Sequence, residues 1–230
     1  MATIAAVLFT AALFLRPGER RFQARPESER PELLLLTSLP IVFPDRFTLD
    51  GKAPAVLGEL QGRYRVLPIS IAEASSLSGH RLLLMAQPRA QPAEVLVELD
   101  AWVRRGGRLL LLADPALQWP GDRPLGDPLN PPFAFADTGL LDHWGLRLEA
   151  PERLEERRVQ ASGRTIRTAS PGVLVATGGN CRVEKPSLVA RCAIGRGTAI
   201  VIADSDFLDT DRFGTGNIQL LFAGLAELEE

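Results

Sequence analysis

Four short runs dense in large aliphatic residues constrain this chain more than any other feature. They are Leu33-Leu34-Leu35-Leu36, Leu82-Leu83-Leu84-Met85-Ala86, Leu109-Leu110-Leu111-Leu112-Ala113 and Ala199-Ile200-Val201-Ile202-Ala203. Each is five residues or so long and is closed by a polar residue, Gly or Pro. Helices need about ten or more residues and a polar face, so runs this short and this apolar read as strands buried on both faces. Strands of that kind belong to parallel sheets covered by helices. The segments between them supply helices. Residues 53–61 place Val56, Leu57 and Leu60 on one face, and 64–69 offers a further strand. Residues 92–105 carry Val95, Leu96, Leu99, Trp102 and Val103 at helical spacing, start at Pro92 and stop at Gly106-Gly107. A last helix over 217–227 turns Ile218, Leu221, Phe222 and Leu225 inward. The alternation predicts an α/β fold with a parallel sheet and helices on both faces.

Two stretches break the alternation. Residues 116–135 are Pro-rich and predict a long loop over the carboxyl ends of the strands. After a short helix over 138–144, residues 146–196 show brief alternating runs broken by Gly and Pro, which predicts a small β-rich insertion of hairpins. The single α/β domain is thus expected over 33–228. Ahead of it, 16–32 is rich in Arg, Glu and Pro and reads as an exposed tether, and 2–15 is one uncharged apolar run. As a helix that run would span ~21 Å, short of a ~30 Å membrane core. No basic segment precedes it and no small-residue cleavage site follows it, so residues 1–15 are read as a membrane anchor, with a signal-like segment as the alternative.

The side of the membrane is drawn in two directions. Arg16, Arg20, Arg21, Arg25 and Arg30 follow the run, which would hold the domain in the cytoplasm. Cys181 and Cys192, the two cysteines, lie eleven positions apart in strand-like stretches. That spacing suits a disulfide in an oxidising compartment, and equally two buried thiols. The expectation adopted is a periplasmic domain. Lys plus Arg number 26 against 28 Asp plus Glu, a net charge of -2, so the basic footprint of a nucleic-acid binder is missing.

Ligands of open parallel sheets sit beyond the strand carboxyl ends. The candidates there are Ser38, Gln87, Asp114, Asp204, Asp206 and Asn217. The densest polar stretch, Asp204 to Asp211, superficially offers a phosphatase-type Asp-x-Asp, but Leu208 stands where Thr or Val is needed. It also lacks the Gly and Glu positions of a calcium loop. Turn and helix capping by Asp and Ser accounts for it more simply. Gly214-Thr215-Gly216 has Gln219 in place of the third fingerprint Gly, and no phosphate loop occurs. No Ser elbow exists, and Gln87-Pro88-Arg89 follows the 82–86 strand with neither Cys nor Ser. His80 precedes its strand, at the wrong sheet end, and His143 reads as a packed or surface residue. No catalytic residue, metal site or cofactor is therefore expected.

Three stretches in order resemble a known family: Leu82-Leu83-Leu84-Met85-Ala86-Gln87-Pro88 followed by a helix and Gly106-Gly107-Arg108, strand, Asp114-Pro115; Gly139-Leu140-Leu141-Asp142-His143-Trp144-Gly145; and Gly195-Arg196-Gly197, strand, Asp204-Ser205-Asp206-Phe207-Leu208, then Gly216-Asn217. They are similar to the auxiliary domain of uncharacterised ABC transport systems, including the gliding-motility type. The resemblance implies a flavodoxin-like, class I glutamine amidotransferase-like fold without that enzyme's catalytic residues. It also implies an inner-membrane location beside ABC permease and ATPase subunits as partners. Two other expectations stand beside it: a small-molecule or sugar sensor using the 116–135 loop, and an amidotransferase-like hydrolase with a displaced centre.

Overall fold

A computed structural model describes residues 22–42, 54–119, 123–124 and 126–230. The apolar run over 1–15 and the first part of the tether lie outside the described residues. Among the described residues, no helix is long and apolar enough to cross a membrane.

The chain is a mixed α/β structure around one mostly parallel sheet. In chain order the elements are β1 (Glu32–Thr37), α1 (Ala55–Gln61), β2 (Arg65–Pro68), α2 (Ala74–Leu77), β3 (Leu82–Ala86), α3 (Ala93–Arg104), β4 (Arg108–Leu112), α4 (Leu140–His143), β5 (Leu146–Glu149), β6 (Glu156–Ala161), β7 (Arg164–Ala169), β8 (Val173–Ala176), β9 (Cys181–Val183), β10 (Val189–Ile194), β11 (Gly197–Ile202), α5 (Thr210–Phe213) and α6 (Ile218–Glu229). The main sheet has seven strands in the order β2-β1-β3-β4-β11-β10-β9. The first five pair in parallel, and β10 and β9 close that side antiparallel. The four leucine-dense runs are its central strands. Leu33, Leu83, Leu84, Leu109, Leu110, Leu112, Ile200 and Val201 are all fully buried, as strands covered on both faces must be.

Adjacent strand residues point to opposite faces, and Leu110 and Leu111 show which helix lies where. Leu110 packs on Gly224 of α6, where an added Cβ would stand 3.2 Å from it. Leu111 lines a small void with Leu96 of α3. So α6 covers one face and α3 the other. The return of β11 beside β4 also depends on a close approach. A Cβ on Gly197 would lie 2.0 Å from the Val103 carbonyl oxygen and 2.3 Å from that of Gly107, so only Gly fits there.

Two regions show how the flanking pieces meet the sheet. The 146–196 region is rich in β-strands, as its alternating runs predict. β5 pairs with β8 and β6 with β7, but β9 and β10 extend the main sheet beyond β11. There Cys181 faces Cys192 across the strands, and the two are joined by a disulfide. The described part of the 16–32 tether is exposed along much of its length but is held at its start. The Phe22 ring lies 5.8 Å from Phe222, the Arg25 N–H donates to the Gly62 carbonyl at 2.8 Å, and the Arg63 guanidinium covers Phe22 at 5.1 Å. Charge content suggested exposure, but an aromatic ring and stacked guanidinium planes give this strap a surface to bind. The short α2 was also not anticipated, since four residues carry no readable period.

Candidate functional site

The six candidate residues lie across the carboxyl ends of the strands, and three of them, Ser38, Gln87 and Asp114, are linked directly by hydrogen bonds. The links begin at β1, where Ser38 Oγ donates to the Gln87 carbonyl. Gln87 follows β3 directly, with φ of 44°, a left-handed conformation uncommon outside glycine. That sharp turn tucks its side chain under the loops. Its Nε2 donates to the carbonyls of Asp114 (3.1 Å) and Pro132 (3.0 Å), and its Oε1 accepts the Asp114 N–H at 2.9 Å. The amide thus continues the pairing of β3 with β4 by one further step.

Asp114 ends β4. Its Oδ1 accepts from the Ala116 N–H at 2.8 Å and its Oδ2 from the Ser205 N–H at 2.9 Å, tying β4 to the turn after β11. Asp204 accepts the Thr168 hydroxyl at 2.7 Å and the Phe207 N–H at 3.1 Å. The first bond fastens β7 to the sheet, and the second caps the helical turn over Asp206–Leu208. Asp206 Oδ2 accepts from the Gln118 N–H at 2.8 Å, while its buried Oδ1 has no partner. Asn217, just before α6, donates to the Arg167 carbonyl at 2.6 Å and accepts its N–H at 3.2 Å, pairing with β7 as a strand would.

Gln87, Asp114, Asp204 and Asp206 are all 0% exposed. Burial therefore moves these four from the binding rim, where the sequence pattern put them, into the support beneath it, and Asn217 is nearly as deep. Burial also governs their charge. It pushes Asp206 up to about 8, with the neighbouring Asp114 charge adding to it and the Gln118 N–H and Arg212 opposing. It raises Asp114 to about 6 against the N–H groups of Ala116, Ser205 and Asp206. Asp204 is likewise held well above the ordinary carboxylate range, first by burial and then by Asp114. Three carboxyls packed together favour their neutral forms because like charges cannot be separated by solvent there. Among the described residues, no group of three or more His, Cys, Asp or Glu is arranged to hold a metal ion.

Ser38 belongs to a different environment. It lines an open cleft of about 660 Å³ beside the carboxyl ends of β1 and β2, with Leu35, Thr37, Leu39, Ile69, Ser70, Arg89, Arg123 and Leu129 among its walls. This is the crevice beside the point where strand order reverses between β1 and β3, where open α/β sheets hold ligands. Its volume is that of a small-molecule site. Two other clefts, of about 370 and 430 Å³, lie at the opposite, amino ends of the strands, around His80 and Arg81. Sequence reasoning missed Arg89 and Arg123. Arg89 had a usable signal, since it follows β3 by three residues; Arg123 had only its place in the loop over the rim.

No protein-family model and no curated protein sequence matches this chain. Solved structures do share its fold. The mmIFT52 N-terminal domain aligns over 85% of this chain and 97% of its own, with a TM-score of 0.53 and 14% identity. The cytoplasmic protein STM1381 from Salmonella typhimurium LT2 aligns over 86% and 99%, with a TM-score of 0.51 and 11% identity. The exo-β-1,4-mannosidase Op5Man5 from Opitutaceae bacterium strain TAV5 aligns over 85% of this chain but 36% of its own, with a TM-score of 0.50 and 14% identity. At such identities the likeness is one of fold.

Proposed function

We propose that this chain is a non-catalytic, membrane-anchored accessory component of an ABC-type transport system, whose domain binds a partner or ligand at the carboxyl ends of its sheet. The observation that carries the reading is Gln87. An amidotransferase-like sheet presents its nucleophile on the sharp turn after this strand. Here the turn keeps a left-handed backbone, but its side chain is a buried amide bonded on both sides to its own chain. A group with neither nucleophilicity nor access fits a scaffold that holds loops in place. The parallel order β2-β1-β3-β4-β11 supports the finer description of the fold as flavodoxin-like and glutamine amidotransferase-like. The Cys181–Cys192 disulfide supports a periplasmic domain, because such bonds persist in oxidising compartments. The apolar run over 1–15 is the proposed inner-membrane anchor, and ABC permease and ATPase subunits are the proposed partners.

The test is affinity purification of the tagged full chain from gently solubilised membranes of its native host. The expected outcome is recovery of a permease and an ATPase with it. Recovery from the membrane as an isolated chain, with neither subunit, would overturn the proposal.

One observation favours a second reading, a small-molecule sensor: the cleft at Ser38 is open and is not filled by described residues, whereas the acidic half of the rim is filled.

A further inference from the structure

We propose that the amino ends of the central strands form a docking surface for an Asp- and Glu-rich segment of a partner protein. The first support is a row of unbalanced charge. Arg81 stands at the entry to β3, Arg105 and Arg108 flank the entry to β4, and Arg196 precedes β11. Those three strands are neighbours in the sheet, about 4.8 Å apart, so the four guanidinium groups share one short edge. Among the described residues, none of the four is paired with a carboxylate. The two that are held bond to neutral groups: Arg108 donates to the Leu228 carbonyl, and Arg196 Nη2 to the Arg105 carbonyl at 3.3 Å. The carboxyl ends of β4 and β11 carry Asp114, Asp204 and Asp206, so the sheet is basic at one edge and acidic at the other.

The second support is the shape of that edge. Two clefts, of about 430 and 370 Å³, adjoin there and share Gly79, His80 and Arg81 as a common wall. The larger, which also reaches Ser78 and Arg105, has no Asp or Glu in its lining. The smaller has Glu32 and Glu229, but both are engaged: Glu32 with Arg65 and His80, each at 3.0 Å, and Glu229 with Arg25 at 2.6 Å. What the edge offers a visitor is therefore donors. Arg81 and Arg105 are exposed with their guanidinium forks unspent among the described residues, and such forks take a carboxylate by two parallel hydrogen bonds. Two open recesses side by side suit successive side chains of an extended segment rather than one enclosed small ligand. Clusters of Arg are a recurring means of recognising acidic motifs.

A protein segment is favoured over other polyanions. The net charge of -2 argues against a nucleic acid. A bilayer is disfavoured by the route of the strap. The Phe22 N–H meets Gln219 in the first turn of α6 at 3.4 Å, and Arg25 meets Glu229 in its last. From Phe22 onward the strap thus runs along α6 from the carboxyl side of the sheet to the amino side, and the basic edge lies at the end remote from where the proposed anchor attaches. This surface goes beyond the proposed role of the carboxyl ends. It rests on that reading only for the anchor, and its test involves neither permease nor ATPase.

The experiment titrates the purified full chain against fluorescein-labelled octa-glutamate by anisotropy at low salt, with octa-glutamine as the control. Binding is expected below about 0.1 mM and should weaken about tenfold as salt rises to ~0.3 M, and the control should not bind. Arg81→Gln and Arg105→Gln should each weaken binding about threefold and the double variant about tenfold, with the thermal midpoint unchanged because both side chains are exposed. Arg157→Gln, at an exposed arginine of β6 paired with Glu155, is the matched control and should leave binding unchanged. No binding at about 1 mM, an equal loss in Arg157→Gln, or undiminished binding by the folded double variant would each overturn the proposal. Release of the peptide by ~1 mM inorganic phosphate would overturn it in favour of a small anion. A preference for phosphatidylglycerol over phosphatidylcholine vesicles that the double variant loses, without peptide binding, would overturn it in favour of a lipid surface. Peptide binding by a chain that brings down neither permease nor ATPase would sink the transport reading and leave this surface standing.

Discussion

The two halves of the sheet's carboxyl edge are built from similar residue types and behave as opposites. At β4 and β11, the loops fold back over the strand ends. Asp114, Asp204 and Asp206 are sealed in, each accepting hydrogen bonds from its own chain. At β1 and β2, the hydroxyls of Thr37 and Ser38 also bond inward, yet the space above them stays open. The difference lies in what covers each half. β7 and the turn over Asp206–Leu208 sit on the β11 end, fastened by Thr168 and Asn217. Among the described residues, no such hairpin reaches β1. A polar residue at a strand end therefore becomes scaffold or surface according to whether the insertion lies over it.

Substitutions should expose that contrast, and the largest loss is expected at Trp144, the largest fully buried side chain among the described residues. Trp144, fully buried after α4, donates from its indole to Asp100 of α3 at 2.8 Å. Trp144→Ala is expected to destabilise the fold by ~3–5 kcal/mol in chemical denaturation. Reduction of Cys181–Cys192, which closes a loop of sequence separation 11 between β9 and β10, should remove ~3 kcal/mol, read as a lower midpoint with reductant present. Gln87→Ala acts at the seam between the halves. It strands the Asp114 N–H and takes the Gln87 donor from the Pro132 carbonyl, while the Asp114 carbonyl keeps the Phe135 N–H at 2.7 Å, and a loss of ~2–3 kcal/mol is expected in the same assay.

Acidity sharpens the comparison further. Asp206 rises from an ordinary 3.8 to about 8 on folding, so between these values the folded chain holds more protons than the unfolded one. The stability this contributes is full below about pH 4 and is lost as pH climbs through about 8, with Asp114 and Asp204 acting in the same direction. Denaturation across that window should show stability falling as pH rises. Asp206→Asn should flatten the fall and leave the variant more stable than wild type at about pH 9. A stability that rose with pH through this range would show the carboxyls to be ionised and accommodated. The smallest effect belongs to the open half. Leu129 is 64% exposed at the cleft mouth, and Leu129→Ser should change stability by less than ~0.5 kcal/mol. A loss as large as that of Gln87→Ala would mean the two halves are equally packed, and the contrast would fail.

The leucine-dense strands were legible because a run buried on both faces needs no partner to reveal it. The long helices were legible from their apolar period, and α3 was bounded by Pro92 and Gly106. The acidic stretch from Asp204 was legible as a strand end, and its capping role as well. Its depth was not, because the residue that seals Asp204 is Thr168, 36 positions away in a hairpin with no distinguishing composition. The same holds for the cleft, where Arg89 and Arg123 meet Ser38 through three separate loops.

Local patterns of hydrophobicity and turn chemistry decided which segments became strands and helices, since those preferences act over a few residues. Only the tertiary structure decided that β9 and β10 would lengthen the main sheet, that the strap at Phe22 would lie on α6, and which strand-end groups would meet solvent. Those outcomes depend on contacts between residues far apart in the chain, where burial and charge are set by what folds over them.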